Sequence, residues 1–255
     1  MISVIIPTYK EPEVLDICLS TAIKHQDSKN QIIVVVDGFI DINKPVLDKY
    51  EGHIEILNIP SNVGLNRATN FGVYAAEFDN ILIVNDDNVF PEHWDTRLLE
   101  HDVESTVVTP NQIEPKPSIF PSFVIKSFGD PGNFDTEGFV EFEKTISNTE
   151  ADTAGSTLPI YMSKQNYMML GGWDEAYPGH WVTDLDFFYK CKLAGLDFKR
   201  IYGIHFYHFV SWGTELTPAE QASKLEKEEA CHNYFKYKWS GSATRLEDYS
   251  ICVTS

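Results

Sequence analysis

Two adjacent aspartates, Asp86 and Asp87, follow an apolar run at residues 81–84. A buried strand that ends at paired carboxylates places oxygen ligands at the carboxyl edge of a sheet, where open α/β folds bind their ligands. Carboxylates there can hold Mg²⁺ or Mn²⁺, and the cation can in turn hold a diphosphate. The alternative is a turn or a helix cap, which Asp and Asn both favour. The pair predicts a divalent metal site, with a turn as the competing interpretation.

Polar segments after three other apolar runs are expected at the same edge, because the carboxyl ends of parallel strands meet there. Loop acids can accept hydrogen bonds from ribose hydroxyls or a base N–H, and an arginine can offset substrate charge. The candidate residues are Pro7, Thr8, Tyr9 and Glu11 after the first run, Asp37 after the second, and Arg67 after the third. A turn position for Asp37 and an exposed helix position for Arg67 are the alternatives.

The elements that must position these residues alternate along the first half of the chain. Continuous β-branched runs separated by helix-compatible segments are typical of a parallel sheet covered on both faces. The predicted strands are residues 3–6, 31–36, 54–59, 81–84 and 105–109, and the predicted helices are residues 13–25, 44–50 and 66–77. The sequence therefore predicts an α/β fold.

The second half is less regular. Five prolines and few periodic runs between residues 110 and 156 predict long loops or short strands that shape a pocket. Regular elements return with strands at 158–162 and 198–202 and helices at 164–170 and 183–194. Thr217 and the following proline predict the start of a last helix, running to about Tyr234 with a solvated Lys/Glu face.

The composition argues against several classes of binding partner. The formal net charge of −18 argues against nucleic acid and anionic membrane surfaces, which would repel the protein. It also opposes a phosphate-bearing substrate unless a cation offsets the charge, and a saline habitat is another source of such acidity. The four cysteines form no C-x-x-C pair, so zinc is not predicted. With no leader and no apolar run of about 20 residues, we expect a soluble, cytoplasmic protein.

Five short strings together resemble the family 2 glycosyltransferases, whose GT-A fold is a Rossmann-like, mostly parallel sheet flanked by helices. The strings are Val4-Ile5-Ile6-Pro7-Thr8-Tyr9, Asn62-Val63-Gly64 with Arg67 and Asn70, Asn85-Asp86-Asp87-Asn88, Gly171-Gly172-Trp173-Asp174-Glu175 and Thr183-Asp184-Leu185-Asp186. The resemblance covers roughly residues 2–210. It implies a single GT-A domain at 1–215, with a nucleotide-binding half at 1–109 and an acceptor and catalytic half at 110–215, and a helical C-terminal extension at 216–255.

The resemblance implies a metal-dependent, inverting transfer from a UDP, GDP or dTDP sugar to a hydroxyl, with a glycan or polysaccharide as acceptor. The residues that match the family's nucleotide-sugar site are Pro7, Thr8, Tyr9, Glu11, Asp37, Arg67, Asp86 and Asp87. Asn85 stands where many members have the first aspartate, which leaves Asp87 as the direct ligand of Mn²⁺ or Mg²⁺. A late histidine often completes that site, and His208 fits the spacing better than His205.

The resemblance also assigns the catalytic base. Asp184 matches the aspartate of the family's Glu-Asp pair, although Thr183 replaces the glutamate. A base there would take the proton of an acceptor hydroxyl opposite the leaving diphosphate. Without the resemblance, Asp184 is equally well a helix N-terminal acid that complements the helix dipole. Trp181 is a candidate acceptor contact, and Asp186 is either an acceptor contact or structural.

Four other functions compete with this interpretation. A nucleotidyltransferase or a dinucleotide oxidoreductase would have a glycine-rich loop after the first strand, and residues 7–11 lack it. A retaining transferase of the same fold stays possible, because motifs do not fix stereochemistry. A degenerate sugar-nucleotide-binding module is the non-enzyme alternative; Asn85 and Thr183 favour it, and the retained Asp86, Asp87 and Asp184 oppose it.

Overall fold

The computed structural model describes residues 1–117, 123–210, 218–245 and 251–254. Its first half alternates strand and helix, as the sequence predicts. The elements are β1 (Ile2–Thr8), α1 (Pro12–Lys24), β2 (Gln31–Asp37), α2 (Ile40–Leu47), β3 (Glu55–Ile59), α3 (Leu65–Ala75) and β4 (Asn80–Ile83). These four strands are parallel in the order β3-β2-β1-β4, so the loops after them emerge at one edge.

The second half completes one mixed sheet. Its elements are β5 (Asn88–Val89), α4 (Trp94–Leu99), β6 (Thr106–Glu114), β7 (Val124–Ile125), α5 (Thr136–Ile146), β8 (Ile160–Ser163), α6 (Lys164–Met169), α7 (Thr183–Leu193) and β9 (Asp197–His208). In the described residues the strand order is β3-β2-β1-β4-β8-β6-β9-β5, with β7 beside β6. β8 is antiparallel to β4 and β5 is antiparallel to β9, whereas β6 and β9 are parallel.

Two strands, β6 and β9, are longer than predicted, because their pairing continues after a shift in register. β6 continues past Pro110 to Glu114, and β9 continues past Tyr202 to His208. The pairing shifts at Pro110, which has no N–H to donate, so Pro110 pairs with Ile201 and Asn111 pairs with His205. His208 therefore lies at the end of β9 rather than in a loop after it. The segment predicted to be irregular also contains the helix α5.

The core lies on both faces of the parallel strands. Every residue of β1 is buried, and the faces pack against α1 on one side and α3 on the other. α3 approaches the sheet so closely that a Cβ on Gly72 would lie 2.6 Å from Ile5 Cγ2 and 2.8 Å from Val35 Cγ2. Both neighbours are β-branched side chains in the core, so neither can move away cheaply.

The C-terminal part begins with α8 (Pro218–Trp239), which extends beyond the predicted end near Tyr234, and the predicted cap Thr217 lies outside the described residues. An antiparallel ribbon, β10 (Ser242–Arg245) with β11 (Ile251–Thr254), follows it. The extension is therefore a helix and a ribbon rather than helical throughout. Among the described helices, none is both long and apolar enough to cross a membrane.

Gly72→Ala tests the close approach of α3 to the sheet. Overpacking costs about 1–3 kcal/mol, which exceeds the roughly 1 kcal/mol that alanine gains over glycine in a helix. We expect a lower free energy of unfolding in urea. Gly132→Ala is the control, because a Cβ there meets no atom within 4 Å. Equal stability of the two variants would contradict the packing argument.

Candidate active site

A cavity of about 840 Å³ opens at the carboxyl edge of the parallel strands. The loops after β1, β2, β3 and β4 form its floor, residues 175–181 form one wall, and Ser223, Lys224 and Lys227 of α8 form another. All eight residues predicted to bind the nucleotide sugar line it, together with Trp181: Pro7, Thr8, Tyr9, Glu11, Asp37, Arg67, Asp86 and Asp87. The parallel topology is what brings these distant segments together.

Asp37 organises the loop before α3. Its two carboxylate oxygens accept hydrogen bonds from the backbone N–H groups of Val63 (2.6 Å) and Gly64 (2.9 Å). Gly64, the N-cap residue of α3, has φ +92°, a conformation that would be strained in a residue with a side chain. Each oxygen keeps capacity for one more hydrogen bond, so Asp37 can both hold the loop and accept from a ligand.

Tyr9 stands at the rim of the cavity. The residue is 40% exposed, and its ring packs edge-on against Phe39, with 5.1 Å between ring centroids. The Asn43 side-chain amide donates to the Tyr9 carbonyl at 2.9 Å and so fixes the loop after β1. The rim thus offers an exposed aromatic surface on a backbone that is held in place.

Carboxylates are crowded where β4 ends. Desolvation and the neighbouring charges of Asp87 and Glu11 raise the pKa of Asp86 to about 7. The pKa of Glu11 is raised as well, first by desolvation and then by the charges of Glu13 and Asp87. Like charges held this close oppose one another, and a divalent cation is the group that relieves such crowding.

His208 lies between two of the site's acids. Its Nε2 is 3.2 Å from Asp87 Oδ2, and its Nδ1 is 3.0 Å from Glu114 Oε1. Desolvation favours the neutral ring, but the two carboxylates raise the pKa of His208 to about 10. The pairing of Asn88 with His208 between β5 and β9 sets this geometry.

The donor set fits a divalent cation. Asp87 offers an oxygen and His208 a nitrogen, while Glu114 binds the far nitrogen of the ring, as carboxylates commonly do behind metal-bound histidines. No group of three or more His, Cys, Asp or Glu within the described residues can hold a metal by itself. A cation held here would need substrate oxygens and water to complete its coordination, as is usual for Mg²⁺. The sequence prediction missed Glu114, which lies in the proline-rich segment.

Asp184 lies in the first turn of α7, beside the wall of the cavity rather than in its lining. The wall carries His180 stacked on Trp181, with 3.9 Å between ring centroids. Desolvation and the charges of Lys224 and Lys227 lower the pKa of His180, and the charge of Asp184 opposes them. The base candidate and the two lysines are therefore close enough to His180 to act on its charge.

Asp186 does not reach the cavity. It is fully buried, and its carboxylate accepts hydrogen bonds from Tyr177 (3.1 Å), Trp239 (2.7 Å) and Lys238 (3.0 Å). A carboxylate already held by three donors inside the protein is not placed to contact an acceptor. Of the two interpretations of Asp186, the structural one fits and the acceptor contact does not. Lys238 and Trp239 lie on α8, 52 and 53 positions from Asp186, whereas Tyr177 lies nine positions before it.

Two asparagines of α3 hold the segment that forms the wall. The Asn66 side chain donates to the Asp174 carbonyl at 2.8 Å, and Asn70 both donates to the Trp173 carbonyl and accepts from its N–H, each at 2.9 Å. Asn70 also accepts from the Tyr167 hydroxyl at 2.6 Å. Arg67, one turn before Asn70, lies 3.4 Å from Glu175 in an exposed pair.

The family model described as "Glycosyl transferase family 2" matches residues 3–151. The hyaluronan synthase of Pasteurella multocida is 25% identical over 256 residues, covering 88% of this chain and 26% of that protein. The chain thus spans about a quarter of the length of this curated relative.

Solved structures share the fold at low identity. TarS 1–349 of S. aureus has a TM-score of 0.58 at 15% identity, covering 94% of this chain and 73% of that one. A complex of TarS 1–349 with UDP-GlcNAc has a TM-score of 0.56 at 16% identity, again covering 94% of this chain and 73% of that one. The structure of GalNAc-T7 with UDP, GalNAc and Mn²⁺ has a TM-score of 0.63 at 14% identity, covering 82% of this chain and 44% of that one. The likeness confirms the predicted GT-A fold.

Asn70→Ala tests the contacts between α3 and the wall. It leaves the buried Tyr167 hydroxyl and two backbone groups of Trp173 without this partner, and each such loss costs about 1–3 kcal/mol. We expect the free energy of unfolding to fall by about 2–4 kcal/mol, measured by urea denaturation. Asn233→Ala, at an exposed position of α8, is the matched control. A loss no larger than that of the control would refute the structural role of Asn70.

Proposed function

The chain belongs to glycosyl transferase family 2, and from this premise we propose that it is a glycosyltransferase. It moves a sugar from a nucleotide-diphosphate donor to a hydroxyl acceptor, with a divalent metal and inversion at the anomeric carbon. The observation that carries the proposal is the cavity in which four strand-end loops meet, with Asp87 in its lining and His208 3.2 Å from that carboxylate. The cavity is large enough for a nucleotide sugar, since ligand pockets are typically about 300–1,000 Å³.

The donor is proposed to be a UDP sugar rather than a GDP or dTDP sugar. Two structural neighbours were crystallised with UDP or UDP-GlcNAc, which supports this choice. The nucleoside would lie against the loop after β1 and Asp37, where aromatic surface and hydrogen-bond acceptors are available. Asp86 would then lie toward the ribose or the donor sugar.

Asp87 and His208 are proposed to hold Mn²⁺ or Mg²⁺, and the GalNAc-T7 structure with Mn²⁺ supports a divalent cation in this fold. When bound, the cation supplies positive charge that stabilises the departing diphosphate. The protein contributes the orientation of both ligands. Glu114 keeps the His208 ring turned toward Asp87, and the β5–β9 pairing fixes the distance between them.

Asp184 is proposed as the base. In an inverting transfer the acceptor oxygen attacks the anomeric carbon on the side opposite the diphosphate, and a carboxylate must receive its proton. Asp184 follows closely on residues 175–181, which line the same cavity as Asp86 and Asp87, and its charge acts on His180 in that lining. The acceptor is proposed to be a glycan or polysaccharide, and the stacked rings of His180 and Trp181 provide a flat surface that suits a sugar ring.

The metal and donor proposals are tested by thermal shift. UDP, GDP, dTDP and CMP are each added with Mn²⁺ or with EDTA. At 100 times its Kd, a ligand of the folded state raises the melting temperature by about 5–10 °C for a chain of this size. We expect this rise with UDP and Mn²⁺, and a smaller one with UDP and EDTA. Equal shifts with and without metal would refute metal-dependent binding, and no shift with any nucleotide would refute the donor site.

Asp184→Asn tests the base. Loss of a general base lowers kcat by about 100- to 10,000-fold, while UDP binding in the presence of Mn²⁺ should not change. Both are measured, the first by UDP release from a UDP sugar and the second by calorimetry. Asp197→Asn, at the exposed start of β9, is the control. A binding module without turnover would show no UDP release from the wild type, and retention of wild-type kcat in Asp184→Asn would refute the assignment.

A further inference from the structure

Two acids of the wall segment converge on one lysine of α8. Lys238 Nζ lies 2.7 Å from Asp174 Oδ2 and 2.8 Å from Asp186 Oδ1. The Trp239 indole donates to Asp186 Oδ1 at 2.7 Å, and the Tyr234 hydroxyl donates to Asp174 Oδ2 at 3.2 Å. We call these five residues, Asp174, Asp186, Tyr234, Lys238 and Trp239, the Lys238 clamp.

The clamp differs from an ordinary surface ion pair in its burial. The Asp186 side chain is 1% exposed, and those of Asp174 and Lys238 are 18% and 23% exposed. A charge pair removed from water in this way fixes the geometry of its groups, because each has few other partners to turn to. Exposed pairs such as Lys44–Asp48 lack this constraint.

The two acids frame the segment that forms the wall and leads into α7. Asp174 lies before residues 175–185 and Asp186 lies directly after them, so one helix holds both ends of this segment. The segment contains His180, Trp181 and the base candidate Asp184. Its position relative to the cavity is therefore set from α8 as well as from the sheet.

The turn before Asp184 needs such support. Val182 has φ +53°, a left-handed conformation that a β-branched residue adopts only where its surroundings impose it. Its apolar surroundings come from the same helix, because Val182 and Trp181 pack against the cluster formed by Tyr177, Cys231 and Phe235. α8 thus supports the strained turn by apolar contact and holds its two flanking acids by charge.

We infer that Lys238 is a positioning residue for sugar transfer, which holds Asp174 and Asp186 so that the turn at Val182 presents Asp184 to the acceptor. Lys238 is not among the described residues that line the 840 Å³ cavity, so its effect passes through the residues it holds. The inference rests on the proposed role of Asp184 as base. A displacement of about 1 Å at a reacting group costs about 100-fold in rate.

The test compares Lys238→Met, Lys238→Arg and the control Lys236→Met, which removes an exposed lysine of the same helix. For Lys238→Met we expect kcat to fall about 100-fold, with unchanged Kd for UDP in the presence of Mn²⁺. Lys238→Arg keeps the charge and should recover most of kcat. Hydrogen exchange should become faster at residues 180–186 but not in β1–β4.

Trp239→Phe keeps the test decisive if Lys238→Met fails to fold, because it removes one donor to Asp186 without leaving an unpaired charge. It should lower kcat about tenfold, the effect of one hydrogen bond to a charged group. The inference is overturned if the folded variants keep wild-type kcat, or if the affinity for UDP falls in parallel with kcat.

Failure of the proposed function has a different signature from failure of the clamp. If the wild type releases no UDP from a UDP sugar, or if Asp184→Asn keeps wild-type kcat, the assignment of the base fails and the clamp has nothing to position. If the wild type is active, Asp184→Asn is inactive and Lys238→Met keeps wild-type kcat, only the clamp inference fails.

Discussion

The arrangement of the site depends on the crowding of carboxylates at one edge of the sheet. Glu11, Asp86 and Asp87 line one cavity, and Glu114 lies behind His208, in a chain whose formal net charge is −18. Burial raises the pKa of Asp86, and the charges of Asp87 and Glu11 raise it further. In His208 desolvation lowers the pKa, and the carboxylates of Asp87 and Glu114 outweigh it. Such a concentration of charge attracts cations and opposes phosphate groups, so the diphosphate of the proposed donor would need a cation to enter, and the same residues would provide the ligands of that cation.

The sheet fixes the floor of the cavity, and polar contacts between side chains fix its wall. β1 and β2 are almost wholly buried between two helical layers, which leaves the loops after them little freedom. Residues 173–186, by contrast, are held by Asn66 and Asn70 from α3 and by Lys238 from α8. Floor and wall are therefore coupled through hydrogen bonds whose partners lie far apart in the sequence. A change in α8 can alter the wall without disturbing the strands whose loops form the floor.

Features of the fold and the site that depend on local sequence patterns are predictable from the sequence, and features that depend on contacts between distant residues are not. The alternation of β-branched runs and helices predicts the parallel half, because a strand covered on both faces is apolar at every position. The same logic places the residues of four loops at one edge. The prediction from sequence pattern is wrong after Pro110, where we expected loops or short strands. There the pairing of β6 with β9 resumes after a bulge, so Glu114 and His208 lie at the ends of these two strands. Asp186 shows the same limit, since its partners on α8 are invisible to local spacing.

The helix α8 illustrates what a largely buried charged residue, Lys238, provides at a position where an apolar side chain would also pack. Its Lys and Glu residues predict a solvated face, yet Cys231, Phe235 and Trp239, spaced four apart, form an inward stripe with Lys238 beside it. Buried ion pairs contribute little net stability, because desolvation offsets their attraction, and apolar replacements are often at least as stable. An apolar contact, however, does not fix the orientation of a neighbouring group, because it has no directional preference. Hydrogen bonds from Lys238 and Trp239 orient the Asp186 carboxylate, and with it the first turn of α7. The stripe accounts for the docking of α8, and the charged groups account for the orientation of Asp184.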